Sequence, residues 1–166
     1  MGLNKLYKLQ EELDKHILEK NKVKISKEEL LGNTMLALLV EVGELANTTR
    51  CFKHWSKKGM MEKEIVIEEL ADVWHFYLSI GNQMQLGLDP LENYEYEGEQ
   101  DLIELFVAIY RKITVLQVEE VKGWNYNLLG DYILLLGYIL GFTDEEVEQA
   151  YLEKHEENYK RQEEGY

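Results

Sequence analysis

Cysteine is almost missing from these 166 residues: Cys51 stands alone. No intramolecular disulfide can form, and a thiolate metal site lacks the ligands it needs. Proline is equally scarce, with Pro90 the single case, and β-branched alternation is sparse. Both absences predict an all-α fold. Basic residues are few, 18 Lys and Arg against 32 Asp and Glu, for a net charge of −14. A field of that sign excludes non-specific binding to nucleic acid or to acidic membranes. It leaves room for a small anion held through a metal. No apolar run approaches the roughly 18 residues of a membrane span, and no signal-peptide pattern is present, so a cytoplasmic location is expected. The hydrophobic fraction of 45% excludes a disordered chain. The length predicts one domain, 1–166, with a real core.

What the chain has in plenty is acid, and part of it is patterned. Glu41-Val-Gly-Glu44 is followed, after twenty-four residues, by Glu69-Leu-Ala-Asp72. Residues three apart share one face of a helix. Both pairs lie in helical text, with room between them for a helix end, a turn and a new start. Two antiparallel helices so joined bring four carboxylates to one place. Two unit charges about 6 Å apart repel by roughly 3 kcal/mol at an effective dielectric of about 20. Such a cluster takes up protons or binds cations. An all-oxygen set suits Mg²⁺ or Mn²⁺. Glu41, Glu44, Glu69 and Asp72 are therefore the candidate metal ligands and catalytic groups. Between the pairs, Arg50, Lys53, Lys57 and Lys58 form a run with no acid. That run suits a polyphosphate, although cations are also favoured at a helix C-terminus. Trp55 within it offers a flat surface for a nucleobase or for the core.

Periodicity predicts about six helices, with a four-helix core around the carboxylates. The first covers about 3–19, with Leu3, Leu6, Leu13, Ile17 and Leu18 inward and Gln10 and Asp14 on a separate stripe. Ser26 and Glu29 read as a capping box opening the second. Its core candidates are Met35, Leu36, Leu38, Leu39 and Val42. Gly43 costs about 1 kcal/mol inside a helix, which a close neighbour or a nearby metal would explain. The third helix covers about 61–84, ended by the Gly87-Leu-Asp89-Pro90 run. His75 and Phe76 lie beside Glu69 and Asp72, where His75 is either a site residue or a hydrogen-bonded structural one. Residues 92–100 read as a mobile acidic loop. A fourth helix is expected over 101–121, ended by Gly123. The fifth, over 126–140, is apolar all round and is a subunit-interface candidate. Thr143 and Glu146 read as a second capping box, opening a last helix to about residue 162. Lys154, Asn158 and Arg161 make one stripe on it. That stripe reaches an anionic ligand or forms ordinary surface ion pairs.

The two carboxylate pairs on helices resemble the motif of the all-α nucleoside triphosphate pyrophosphatases, the MazG-like superfamily. The text around them narrows the likeness. Glu-Val-Gly-Glu-Leu-Ala-Asn, Phe-Lys-His-Trp-Ser, Glu-Glu-Leu-Ala-Asp-Val-Trp-His-Phe-Tyr-Leu-Ser and the ending Asn158-Tyr-Lys-Arg161-Gln162-Glu-Glu-Gly165-Tyr166 resemble the dimeric dUTPases. The resemblance covers essentially the whole chain. It implies a homodimer that hydrolyses dUTP, and dUDP, to dUMP with Mg²⁺ at Glu41, Glu44, Glu69 and Asp72, two or three ions, Mn²⁺ being a possible substitute. It implies that Trp55, Gln10 and Asp14 meet the uracil and that Lys53, Lys57 and Lys58 lie near the phosphates. It implies His75, Phe76 and Asn82 near the sugar, and Lys154, Asn158, Arg161 and Tyr166 closing over the phosphate chain. Two positions depart from the pattern. The family usually has an amide where Asp14 stands, and an aspartate accepts from uracil N3–H but cannot donate to a carbonyl. His155 stands where the family tends to have Asn.

Three other readings compete. A house-cleaning pyrophosphatase for dCTP or modified nucleotides shares the chemistry, and Asp14 favours it. A di-iron carboxylate bundle needs an acid-x-x-His pair from two helices. Asp72 and His75 supply one pair, and no second is well placed. A binding protein with a decayed site is opposed by the presence of all four acids.

Overall fold

The computed structural model describes residues 1–87, 101–116 and 122–165. Among the described residues six helices follow in order: α1 Leu3–Lys20, α2 Lys27–Thr49, α3 Lys63–Met84, α4 Leu102–Thr114, α5 Lys122–Ile139 and α6 Asp144–Glu164. The all-α expectation holds. α3 is the central helix, with α1, α2, α5 and α6 packed around it, and α4 packs on α2 and α5. The core joins Leu38, Val42 and Leu45 of α2 to Leu70, Trp74, Tyr77 and Ile80 of α3. Ile109, Ile133 and Tyr151 extend it onto α4, α5 and α6. Among the described residues no single helix is long and apolar enough to cross a membrane.

The caps follow the sequence. Ser26 Oγ accepts the Glu29 N–H at 3.1 Å. At α6 both halves of the capping box form: Glu146 N–H donates to Thr143 Oγ1 at 3.2 Å and Thr143 N–H to Glu146 Oε2 at 2.8 Å. α2 and α3 stop on left-handed non-glycine residues, Arg50 at φ 57° and Gln85 at φ 55°. α3 therefore ends before the Gly87–Pro90 run that was expected to stop it.

Three expectations need correction. α4 ends at Thr114 rather than near Val121. Val115 and Leu116 N–H bond to the carbonyls of Lys112 and Ile113, three residues back, and this tightened turn closes the helix. Gly123 does not terminate a helix; it lies in the first turn of α5, where glycine costs little. Leu36, expected in the core, is 62% exposed. The Gly43 question resolves onto a neighbour. A Cβ there would sit 2.9 Å from Tyr110 Oη, which donates to the Leu39 carbonyl at 3.0 Å. The expected loop at 92–100 lies outside the described residues.

Candidate active site

α1, α2, α3 and α6 enclose a cavity of about 900 Å³. Glu41, Glu44, Glu69 and Asp72 line one end of it. Ligand oxygens of Glu41, Glu69 and Asp72 all lie within 4.8 Å of one another, close enough to hold one metal ion. The helices bring the two sequence pairs together as their spacing requires. Glu44 stands beside this triad and raises the pKa of both Glu41 and Glu69.

The cluster is electrostatically strained. Burial, then the charges of Asp72, Glu44 and Glu69, push Glu41 up to about 7. Burial and the Glu44 and Asp72 charges raise Glu69. Burial raises Asp72 too, against the pull of Lys154. Lys154 on α6 is buried, with Nζ 2.8 Å from Asp72 Oδ2 and 2.9 Å from Glu68 Oε1. Burial works to lower the Lys154 pKa, but its bonds and charge contacts with Asp72 and Glu68 outweigh this and raise it. The donor set fits a hard divalent cation: all ligands are oxygen, and each carboxylate is relieved of repulsion by positive charge.

Polar groups of α1, α3 and α6 continue the cavity wall beside the carboxylates. Gln10 Nε2 donates to Asp14 Oδ1 at 2.7 Å, and Tyr151 Oη donates to Gln10 Oε1 at 2.8 Å. Burial pushes Asp14 up to about 6, opposed by hydrogen bonds from Ser79 and Gln10. His75 is buried between Gln10 Oε1, at 2.7 Å from Nδ1, and the Tyr151 carbonyl, at 3.2 Å from Nε2. Burial drives its pKa down to about 3, so the ring is neutral. It stacks on Tyr151 with centroids 4.0 Å apart. His75 thus serves as hydrogen-bonded support for Gln10 while still bordering the cavity.

Phe76, Asn82, Asn158 and Arg161 also line the cavity. Asn82 Nδ2 is held by the Tyr7 carbonyl at 3.0 Å, and Arg161 pairs with Glu157 at 2.7 Å. The 50–58 run is not brought to the cavity. Trp55 is 68% exposed and packs edge-on against Phe52 and His54. Lys53 bonds to Asn47, and Lys57 and Lys58 are exposed. Tyr166 lies outside the described residues. Sequence reasoning missed Glu68, Thr34, Ser79 and Gln83, which line the cavity as well. The signal was present: Asp72, Phe76, Ser79 and Gln83 step by four, three and four along one stripe of α3.

A carboxylate cage, a cationic stripe and an amide-rich wall in one cleft is a nucleotide-sized arrangement. The dUTPase family model matches residues 2–166. The chain belongs to the dUTPase family. Its activity is accordingly dUTP diphosphatase, a nucleoside triphosphate pyrophosphohydrolase, and its substrate is a nucleotide. Among curated proteins none matches the chain.

Proposed function

We propose that this dUTPase is a cytoplasmic, single-domain homodimer that uses Mg²⁺, with Mn²⁺ as substitute, to hydrolyse dUTP and dUDP to dUMP. The observation that carries the reading is the convergence of Glu41, Glu69 and Asp72 within 4.8 Å at one end of the cavity. These three and Glu44 would hold the metal, two or three ions, which supplies charge neutralisation at the phosphates and acidifies the attacking water. Glu41, within the triad, is the group assigned to orient that water and take its proton. Lys154 exchanges Asp72 for substrate phosphate, and Asn158 and Arg161 extend the same stripe along the phosphate chain. Phosphoryl transfer needs such positioning and charge balance more than covalent help. Gln10 and Asp14 face the base, and Phe76, His75 and Asn82 border the sugar. Trp55, Lys53, Lys57 and Lys58 reach the nucleotide only when the 50–62 segment folds inward, and Tyr166 closes with the tail. Apolar side chains left exposed on α5 (Trp124, Tyr138 and Ile139), the helix expected at a subunit interface, and on α2 and α4 (Leu36, Val40, Ile103 and Val107) support a second copy as partner.

The test is diphosphate release with Mg²⁺ from dUTP, dUDP, dCTP, dTTP and ATP. Preference for dUTP with some dUDP turnover is expected. Equal turnover of all five would overturn base selection and move the protein to the house-cleaning branch.

A further inference from the structure

The hydrogen bonds around His75 do not balance. Its Nδ1 lies 2.7 Å from Gln10 Oε1, and its Nε2 lies 3.2 Å from the Tyr151 carbonyl. Both partners are acceptors, yet a neutral imidazole carries a single N–H. One ring lone pair therefore points at an acceptor. Gln10 and His75 are each 4% exposed, so solvent supplies no remedy. A mispaired group is costly in a buried network.

Two changes would restore the balance. Protonating the ring satisfies both acceptors, but burial and the neighbouring His155 and Lys154 oppose a charge there. The other change is a half turn of the Gln10 amide, whose oxygen and nitrogen ends have nearly the same shape. Gln10 Nε2 then donates one N–H to His75 Nδ1 and the other to Tyr151 Oη, 2.8 Å away. Tyr151 Oη donates in turn to the Leu6 carbonyl at 3.3 Å. His75 keeps its proton on Nε2, facing the Tyr151 carbonyl. One link remains open. The turned amide sets Gln10 Oε1 against Asp14 Oδ1, across the 2.7 Å that Nε2 spanned. Two oxygens at that distance need a proton between them.

Asp14 is the group able to supply it. Burial pushes Asp14 up to about 6 even with a Gln10 N–H stabilising the carboxylate. Turning the amide removes that bond and adds one that only the acid form makes. The titratable groups set against this network are His75 of α3 and Tyr151, Lys154 and His155 of α6, while Glu41, Glu44, Glu69 and Asp72 share the cavity. None of their charges enters the balance at Asp14, where burial is opposed by hydrogen bonds from Ser79 and Gln10.

We propose that Asp14 stands in this site as an un-ionised carboxylic acid and is a positioning residue: its O–H holds the Gln10 amide in the turned orientation, and the amide holds His75 neutral with its proton on Nε2. The bearing on catalysis rests on the functional reading that this cavity takes the nucleotide. Gln10, Asp14 and His75 all line it. An acid leaves their wall uncharged toward a polyanion and fixes the amide one way. An ionised Asp14 would add negative charge and release the amide.

The experiment reads the His75 ring nitrogens by ¹⁵N NMR in the metal-free full chain at pH 7. A neutral ring with Nε2 protonated is expected. An imidazolium, or a neutral ring protonated on Nδ1, overturns the proposal on unaltered protein. Two variants then test positioning. Asp14→Leu, which has no donor for Gln10, is expected to raise KM for dUTP about tenfold, with kcat less affected. Asp14→Asn, an uncharged donor and acceptor, is expected to recover at least about threefold of that loss and to keep the His75 proton on Nε2. No recovery would show that the carboxylate charge is what the site uses, and an unchanged KM in Asp14→Leu would remove the positioning role; either overturns the proposal. Absence of dUTP turnover in the wild type would overturn the functional reading instead, and the NMR result would still decide the state of Asp14.

Discussion

The two faces of α3 are treated oppositely, one fully buried in the core and one half-buried along the cavity. On one face the Tyr77 ring stacks on Tyr126, centroids 4.4 Å apart and planes 7° from parallel. Tyr77 Oη donates to the Tyr126 carbonyl at 3.3 Å, and Tyr126 Oη returns the bond to the Tyr77 carbonyl at 3.2 Å. Nothing polar in that exchange is left unmet. On the other face Glu69 and Asp72 are held above the usual carboxylate range, and Gln83 Oε1 has no partner. One helix therefore anchors the bundle with its satisfied side and holds strained groups in place with its other side. Such strain persists only where surrounding structure over-determines it.

That contrast can be broken from either face. The largest effect is expected at the carboxylates. Glu44→Gln should lower kcat by roughly 1,000-fold, because it removes several kcal/mol of charge organisation at the phosphates. Its urea midpoint should stay at or above that of the wild type, since it relieves repulsion. An unchanged kcat would remove Glu44 from the cage. The next effect is on the other face. A Cβ at Gly81 would lie 2.1 Å from Tyr126 Oη and 2.5 Å from Tyr126 Cζ. Gly81→Ala should destabilise the fold by about 1–3 kcal/mol while kcat per folded molecule is kept. Lost activity at full stability would show that the two faces are not separable.

Trp55→Ala tests the 50–62 segment, which sits on neither face. Its exposure predicts a stability change within about 0.5 kcal/mol. If the segment folds over the nucleotide, KM for dUTP should rise about tenfold, equivalent to about 1.4 kcal/mol of binding. An unaltered KM would confine Trp55 to the surface. The last effect is a pH dependence. Glu41 has an ordinary value of 4.5 and is raised to about 7 in the folded protein. The folded state holds the extra proton between those values, so this stabilising contribution is complete below the lower value and lost as pH rises through the upper one. Glu41→Gln stays uncharged. With chelator present, its Tm advantage over the wild type should grow between about pH 5 and pH 8. A constant difference would mean that Glu41 titrates normally.

Most of the fold was readable because helices announce themselves locally. The Ser26 and Thr143 caps, the apolar stripes of α1 and α3 and both acid pairs are short-range signals. Their convergence followed from helix spacing and loop length alone. What escaped depends on contacts distant in sequence. Leu36 and Leu38 look equally apolar, and only packing leaves one exposed and the other buried. The end of α4 is marked by no glycine or proline. Ser79 and Gln83 are ordinary polar residues until α1 brings Asp14 beside them and α2 brings Thr34. Lys154 was expected over phosphate, whereas the geometry sets it first against Asp72 and Glu68.

That lysine bears on the order of events in the life of the protein. A bundle whose acids had no cation of their own would depend on metal to finish folding, as many small metalloproteins do. Here a tethered ammonium, 2.8 Å from Asp72, travels with the chain and offsets part of the repulsion from the moment α6 docks. The cleft can mature in a compartment poor in divalent ions and wait. Chelation should then silence the enzyme without melting it, and loading should switch on an already assembled machine.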